Sequence, residues 1–222
     1  MKKYSIIFLA LLGALTFSCD VESTDDVSQI TVYPELTING DALVYSEVGQ
    51  PFNDPGANAS VGGSAIEYST SGDLDTTTPG FYTITYAAAN SDGFEATASR
   101  TVIIYENDGS VAGVYDGIRI SRGFGGPILI SSRGDGDFNI SDLMGGYYEF
   151  GVGYGNAYAF PAIISVDVAG GTVTSAAGGA GGFGPCSLTN GVVSSDGKEM
   201  TWTATLTDYA FGFDVKMTKV TP

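Results

Sequence analysis

The chain reads as all-β: a small sandwich first, then a second antiparallel unit that is either a sandwich or a small barrel. Three observations carry this reading. Apolar and polar residues alternate over short runs, turn residues recur between the runs, and no stretch keeps a helical period. In "GFYTITYAA", Tyr82, Ile84 and Tyr86 point one way and Thr83 and Thr85 the other, as a half-buried strand requires.

The chain opens differently. Lys2 and Lys3 precede an apolar run, Ile6 to Phe17, that is too short to cross a bilayer, which takes roughly 20 apolar residues. A basic start and a run of that length fit the hydrophobic region of a secretory signal. Ser18 and Cys19 close the run, and the acids Asp20, Glu22, Asp25 and Asp26 follow. The whole segment resembles a bacterial lipoprotein signal, in the looser form found in Bacteroidota, since Thr16 and Phe17 stand where Leu and a small residue are preferred. The resemblance implies a signal peptide over 1–18, lipidation at Cys19 and a polar tether over 19–29. The acids resemble the export signal for the outer face of the outer membrane. The expected location is therefore the outer membrane, lipid-anchored and facing outward. A secreted protein with an acidic tail is the alternative.

Residues 30–107 form the first unit. Turn residues recur at short intervals in "NGD", "DPG", "VGG", "TSGD", "TPG" and "NSDG", and "RTVIIYE" reads as the closing strand before a boundary at Asn107-Asp108-Gly109. Many short strands so punctuated make a small sandwich. Gly40-Asp41, the turn "VGQPFNDPGA", the strand "TPGFYTITY" and the closing "SRTV" together resemble the bacterial immunoglobulin-like domain of surface proteins and some pesticidal crystal proteins. That family is a spacer and presentation module, and the resemblance brings no catalytic residue with it.

Residues 112–222 form the second unit. "EMTWTATLTD" places Met200, Trp202, Ala204 and Leu206 on one face, and "FGFDVKMTK" places Phe211, Phe213, Val215 and Met217 on one face. In "GIRISR", Ile118 and Ile120 alternate with Arg119 and Ser121, and the isoleucines are the expected core side. Such two-faced strands suit an antiparallel sheet with one side on a core. Roughly seven to nine of them over this length make a sandwich or a small closed barrel. The pairing of the two units resembles uncharacterised two-domain lipoproteins of gut Bacteroides-like bacteria, often associated with polysaccharide uptake. It implies a setting, not an activity.

Charge and composition narrow the function. Removing residues 1–18 takes two of the nine basic residues and none of the 25 acidic ones, so the net charge moves from −16 to −18. Nucleic acid and anionic lipid are repelled by such a chain. Histidine is absent, which removes the usual general base, the Ser-His-Asp arrangement and the commonest zinc ligand. With Cys19 acylated, Cys186 has no partner for a disulfide and reads as a buried small hydrophobe. No pair of carboxylates stands apart as a glycosidase pair would. The chain is expected not to be an enzyme and to need no cofactor.

Two stretches remain as candidate sites. "RGDGDFNISD" spaces Asp135, Asp137 and Asn139 as a calcium loop does, but Ile140 and Gly146 stand where the EF-hand needs glycine and glutamate. A looser calcium site would add Asp142. The simpler reading is a Gly-rich hairpin. "GGYYEFGVGYGNAYAFP" and "GGAGGFGP" mix glycine with aromatics. Tyr147, Tyr148 and Phe150 are read as filling a strand core, with the glycines as loose connections. Nearer the turns, Tyr154, Tyr158 and Phe183 are the expected sugar-stacking residues, with Asn156 supplying hydrogen bonds. The expected ligand is an extracellular glycan, in support of polysaccharide uptake. The alternative is a structural or adhesive subunit packed against an outer-membrane transporter or fimbria.

Overall fold

A computed structural model describes residues 30–221; the signal segment, Cys19 and the tether lie outside the described residues. The first unit is a sandwich of two sheets. Strands β1 (Pro34–Ile38), β3 (Ala57–Val61) and β4 (Ser64–Ala65) form one. Strands β2 (Leu43–Glu47), β5 (Ser69–Ser71), β6 (Gly80–Ala89) and β7 (Glu95–Tyr105) form the other, in the order β2-β7-β6-β5 with β2 parallel to β7. Between the sheets lie Ala57, Ile84, Tyr86, Val102 and Ile104, all buried. This core also holds a charge pair. Arg100 is fully buried and bridges to Asp54, and its Nε donates to the Asp41 carbonyl at 3.0 Å. The Tyr86 hydroxyl donates to the same carboxylate at 2.7 Å, and burial together with that bond pushes the phenol up to about 12.

The closing strand does not alternate, and the structure gives the reason. Val102 and Ile104 face the sandwich core, while Ile103 and Tyr105 face the second unit, packing with Val114 and Leu129. A strand buried on both faces reads as a continuous apolar run.

The second unit is a barrel. Its strands are β8 (Gly113–Arg119), β9 (Phe124–Gly134), β10 (Asp137–Ile140), β11 (Ala162–Asp167), β12 (Thr172–Ala177), β13 (Gly179–Gly181), β14 (Gly184–Val193), β15 (Glu199–Leu206) and β16 (Phe211–Lys219). Each pairs antiparallel with its sequence neighbour from β8 to β12 and from β14 to β16, β16 returns to β8, and β12 meets β14. Eight strands thus close an up-and-down meander, with β13 as a short flap on β14. Of the two expected architectures, the barrel is the one formed. A barrel of this strand number has an interior that side chains can fill or one small ligand can occupy. Here it is filled, by Tyr115, Ile128, Ile130, Phe138, Ile140, Trp202, Val215 and Met217 among others.

The face expected for β8 is reversed. Tyr115 and Gly117 point inward, so Arg119 follows them to the barrel mouth, while Ile118 is half-buried and Ile120, past the strand, is 50% exposed. The register of a strand is set along its whole length, and Tyr115 carries the larger burial.

Candidate functional site

Residues 141–161, between β10 and β11, fold back into one end of the barrel. Leu143, Met144, Tyr147 and Phe160 join its core. Three backbone donors fix the loop to one side chain. Asp142 accepts from the N–H of Met144 at 2.8 Å, Gly146 at 3.0 Å and Phe160 at 3.1 Å. Trp202 ties the barrel wall to it, Nε1 donating to the Leu143 carbonyl at 2.8 Å. Asp142 is fully buried, and burial pushes its carboxyl up to about 7 against the pull of the three amides.

The loop's glycines are not loose connections. Gly146 has φ of 68° and its position faces the backbone of Gly126, where a Cβ would sit 2.7–3.1 Å from three main-chain atoms. A Cβ on Gly126 would in turn strike the Phe150 ring at 2.5 Å. Loop and barrel wall approach glycine to glycine, a packing that only residues without side chains allow. The π-helical turn Tyr147–Gly151 and the 3-10 turn Asn156–Tyr158 follow, held by Val152 N–H to the Tyr147 carbonyl at 2.8 Å and Tyr158 N–H to the Gly155 carbonyl at 2.9 Å.

Aromatic rings gather on this plug. Tyr154, Tyr158 and Phe183 come together: Tyr154 to Tyr158 is 5.1 Å between centroids, and Tyr158 to Phe183 is 4.9 Å. Tyr148 adds a ring 4.9 Å from Phe183. Beside the cluster lies an open depression of about 310 Å³, lined by Tyr148, Phe183, Leu206, Tyr209 and Phe211. Tyr209 (65% exposed) and Tyr154 (53%) offer the most free ring surface. Asp208, next to Tyr209, holds its carboxylate against Gly184, beside Phe183. Behind the depression the Arg119 guanidinium lies 4.3 Å from the Phe213 centroid and 4.8 Å from that of Tyr147, fixing these rings by cation–π contact.

Other expected residues fall elsewhere. Asn156 lines a different cleft, between the two units, with Phe81, Thr83, Thr101, Glu149 and Phe150. Tyr147, Tyr148 and Phe150 lie in the π-helical turn and not in the expected strand: Tyr147 is buried, Tyr148 is half-buried, and Phe150 is 38% exposed and stacks on Phe81 at 6.2 Å. Tyr209 was missed, because "TDYAFG" carries too little glycine to stand out beside the richer stretches, and Phe211, read with the apolar face of its strand, is 43% exposed and lines the depression.

The looser calcium set does not assemble. Asp135 sits at φ 55° in the β9–β10 hairpin, Asp137 accepts from Ser165, and Asn139 accepts from Arg133 and donates to Ser131. Asp142 is spent on its three amides inside the barrel. Among the described residues no group of three or more His, Cys, Asp or Glu could hold a metal. Cys186 is free and buried, and burial pushes its thiol up to about 12.

The bacterial surface protein Ig-like domain family matches residues 36–104, and a family of C-terminal domains matches residues 106–219. The crystal structure of the lipoprotein BT2262 from Bacteroides thetaiotaomicron superposes with a TM-score of 0.68 at 30% identity, over 84% of this chain and all of that one. The chain belongs to the family of that lipoprotein. No curated protein matches it significantly. This chain thus pairs an Ig-like domain of bacterial surface proteins with an all-β C-terminal domain.

Proposed function

We propose that the protein is a non-catalytic lipoprotein of the outer membrane, anchored at Cys19 and facing outward, that binds extracellular carbohydrate at the mouth of its barrel. The observation that carries this is the aromatic depression lined by Tyr148, Phe183, Tyr209 and Phe211, with Tyr154 and Tyr158 on its flank. Flat rings stack on the apolar faces of sugars, and phenol hydroxyls and the nearby Asp208 supply directional hydrogen bonds. Asn156, on the cleft between the units, takes no part. Each stacked ring contributes on the order of 1–2 kcal/mol. Two or three rings therefore give affinity of about millimolar strength, which crowding of anchored copies raises. The kinship with a lipoprotein and a surface domain supports the location. The absence of histidine from the whole sequence argues against general base catalysis of the usual kind.

The test is a glycan array followed by calorimetry on the mature chain, beside a Tyr154→Ala, Tyr158→Ala, Tyr209→Ala triple variant. We expect binding to a subset of glycans that the variant loses by at least tenfold while staying folded. Equal binding by the variant moves the site elsewhere. No glycan binding, with co-purification of a transporter or fimbrial subunit, favours a structural role. Release of reducing ends from a polysaccharide would overturn the non-catalytic reading.

A further inference from the structure

At the far end of the sandwich from the barrel, four apolar side chains stand in solvent. Ile30 is 90% exposed, Tyr33 61%, Val32 46% and Phe94 43%. Single exposed apolar residues are ordinary, but a group of them at one end of a domain marks an interaction surface. Tyr33 and Phe94 are joined, their rings meeting edge to face at 5.0 Å, and Ile30 and Val32 precede Tyr33 in the same entering segment. Asn90 fixes the geometry: its Nδ2 donates to the Val32 carbonyl at 2.9 Å, and its Oδ1 accepts from the N–H of Phe94 at 2.9 Å and of Asp92 at 3.1 Å. The entering chain and the β6–β7 turn are thus clamped side by side.

The patch lies where the chain enters the sandwich, separated from Cys19 only by residues 20–29. A tether of that length reaches at most roughly 40 Å when fully extended. The junction with the barrel lies at the other end of β7, which spans Glu95–Tyr105 and so covers roughly 35 Å at about 3.4 Å per residue.

We propose that Ile30, Val32, Tyr33 and Phe94 form a membrane-resting surface that seats the sandwich on the bilayer holding the Cys19 anchor. The proposal rests on lipidation at Cys19. Tyrosine suits the boundary between lipid and water, having an apolar ring and a polar tip, and aliphatic neighbours deepen the contact. Anchoring raises the local concentration of membrane so far that a weak contact is occupied. Asp92 and Glu95 bracket Phe94 in the chain, so the surface suits zwitterionic headgroups and is repelled by anionic ones.

The experiment places a bimane fluorophore on Phe94→Cys, and separately on Val192→Cys, an exposed position on the barrel wall. The acylated full chain is then reconstituted into phosphatidylcholine vesicles. Native Cys186 is buried and does not compete for the label. Flotation reports anchoring, and brominated lipids report contact. We expect flotation, quenching at position 94 at least threefold greater than at 192, and loss of that difference when Val32→Ser and Tyr33→Ser are added. Raising the anionic lipid fraction should lower the quenching. Flotation without quenching at 94 overturns the membrane surface but leaves the anchor standing. A label shielded from aqueous iodide but untouched by lipid shows that a protein covers the patch, which also overturns it. Failure to float overturns both.

Discussion

Two carboxylates, Asp142 fully buried and Asp54 half-buried, show how single residues shape each unit. Asp142 holds the plug by three backbone amides, while its burial raises its pKa to about 7. A carboxyl whose folded pKa lies above its unfolded value near 3.9 binds protons more tightly in the folded state. Stability therefore falls as pH rises from about 4 to about 7 and levels off above that. Urea midpoints measured across this range should show the slope, and Asp142→Asn, though less stable overall, should lack that part of it. An identical slope in the variant assigns the effect to another group; Glu149, also raised by burial, is the next to test. Asp54 is the contrasting case. Its carboxylate receives Arg100, Tyr86 and the Gly56 N–H. Asp54 lies in "VGQPFNDPGA" and Arg100 in "SRTV", two of the stretches that carry the Ig-like resemblance. Both stretches were legible as a signature, and the structure adds what they build: an ion pair with Arg100 fully buried and Asp54 half-buried. Nothing in a local pattern shows Asp142 to be buried, since acids in a Gly-rich run ordinarily sit in turns.

At the scale of elements, legibility followed the length of the alternating run. β15 is long and regular, and Met200, Trp202, Ala204 and Leu206 are all buried as its pattern requires. In β16, Phe213, Val215 and Met217 are buried, while Phe211 at the strand's first position is 43% exposed and lines the mouth. β8 misled because the window "GIRISR" holds two isoleucines and leaves out Tyr115, which sets the inward face. The plug was not legible at all. Its function as a stopper depends on long-range contacts, Gly146 against Gly126 and Leu143 under Trp202, and its glycines carry the same local signal as a flexible loop. Clustering of Tyr154, Tyr158 and Phe183 was within reach of composition, whereas the partner rings Tyr209 and Phe211 arrive from a hairpin distant in sequence. The link between wall and plug gives a prediction. Trp202→Ala removes a large buried side chain, at a cost of about 3–5 kcal/mol, and also orphans the Leu143 carbonyl. Urea unfolding should show the loss, and hydrogen exchange should rise over residues 143–160 more than over β6 and β7. Equal increases in both units would mean that Trp202 does not hold the plug in particular.

At the scale of the whole molecule, the question is whether two modular units act as one body. Their family matches abut at residues 104 and 106, as separable modules would. The surface between them is nevertheless apolar and buried, with Ile103 and Tyr105 from the sandwich against Val114 and Leu129 from the barrel, backed by Leu43 and Tyr45. Polar contacts bracket it: the Ser132 N–H donates to Glu106 at 2.7 Å, and Asn107 Nδ2 donates to Glu47 at 2.8 Å. Lys219 Nζ closes the joint from the barrel side, donating to the carbonyls of Ser110 and Ala112 at 2.7 Å each. A junction of this kind couples the unfolding of its two sides, because opening either one exposes the apolar faces of both. The mature chain should accordingly melt in a single calorimetric transition. Val114→Asp places an unpaired charge in the middle of the contact, without touching the mouth. It should split the melt into two transitions and open residues 107–111 to protease, while glycan affinity at the barrel mouth stays within twofold. A single transition in the variant, or a joint that stays protected, would mean that the contact is too small to couple the units.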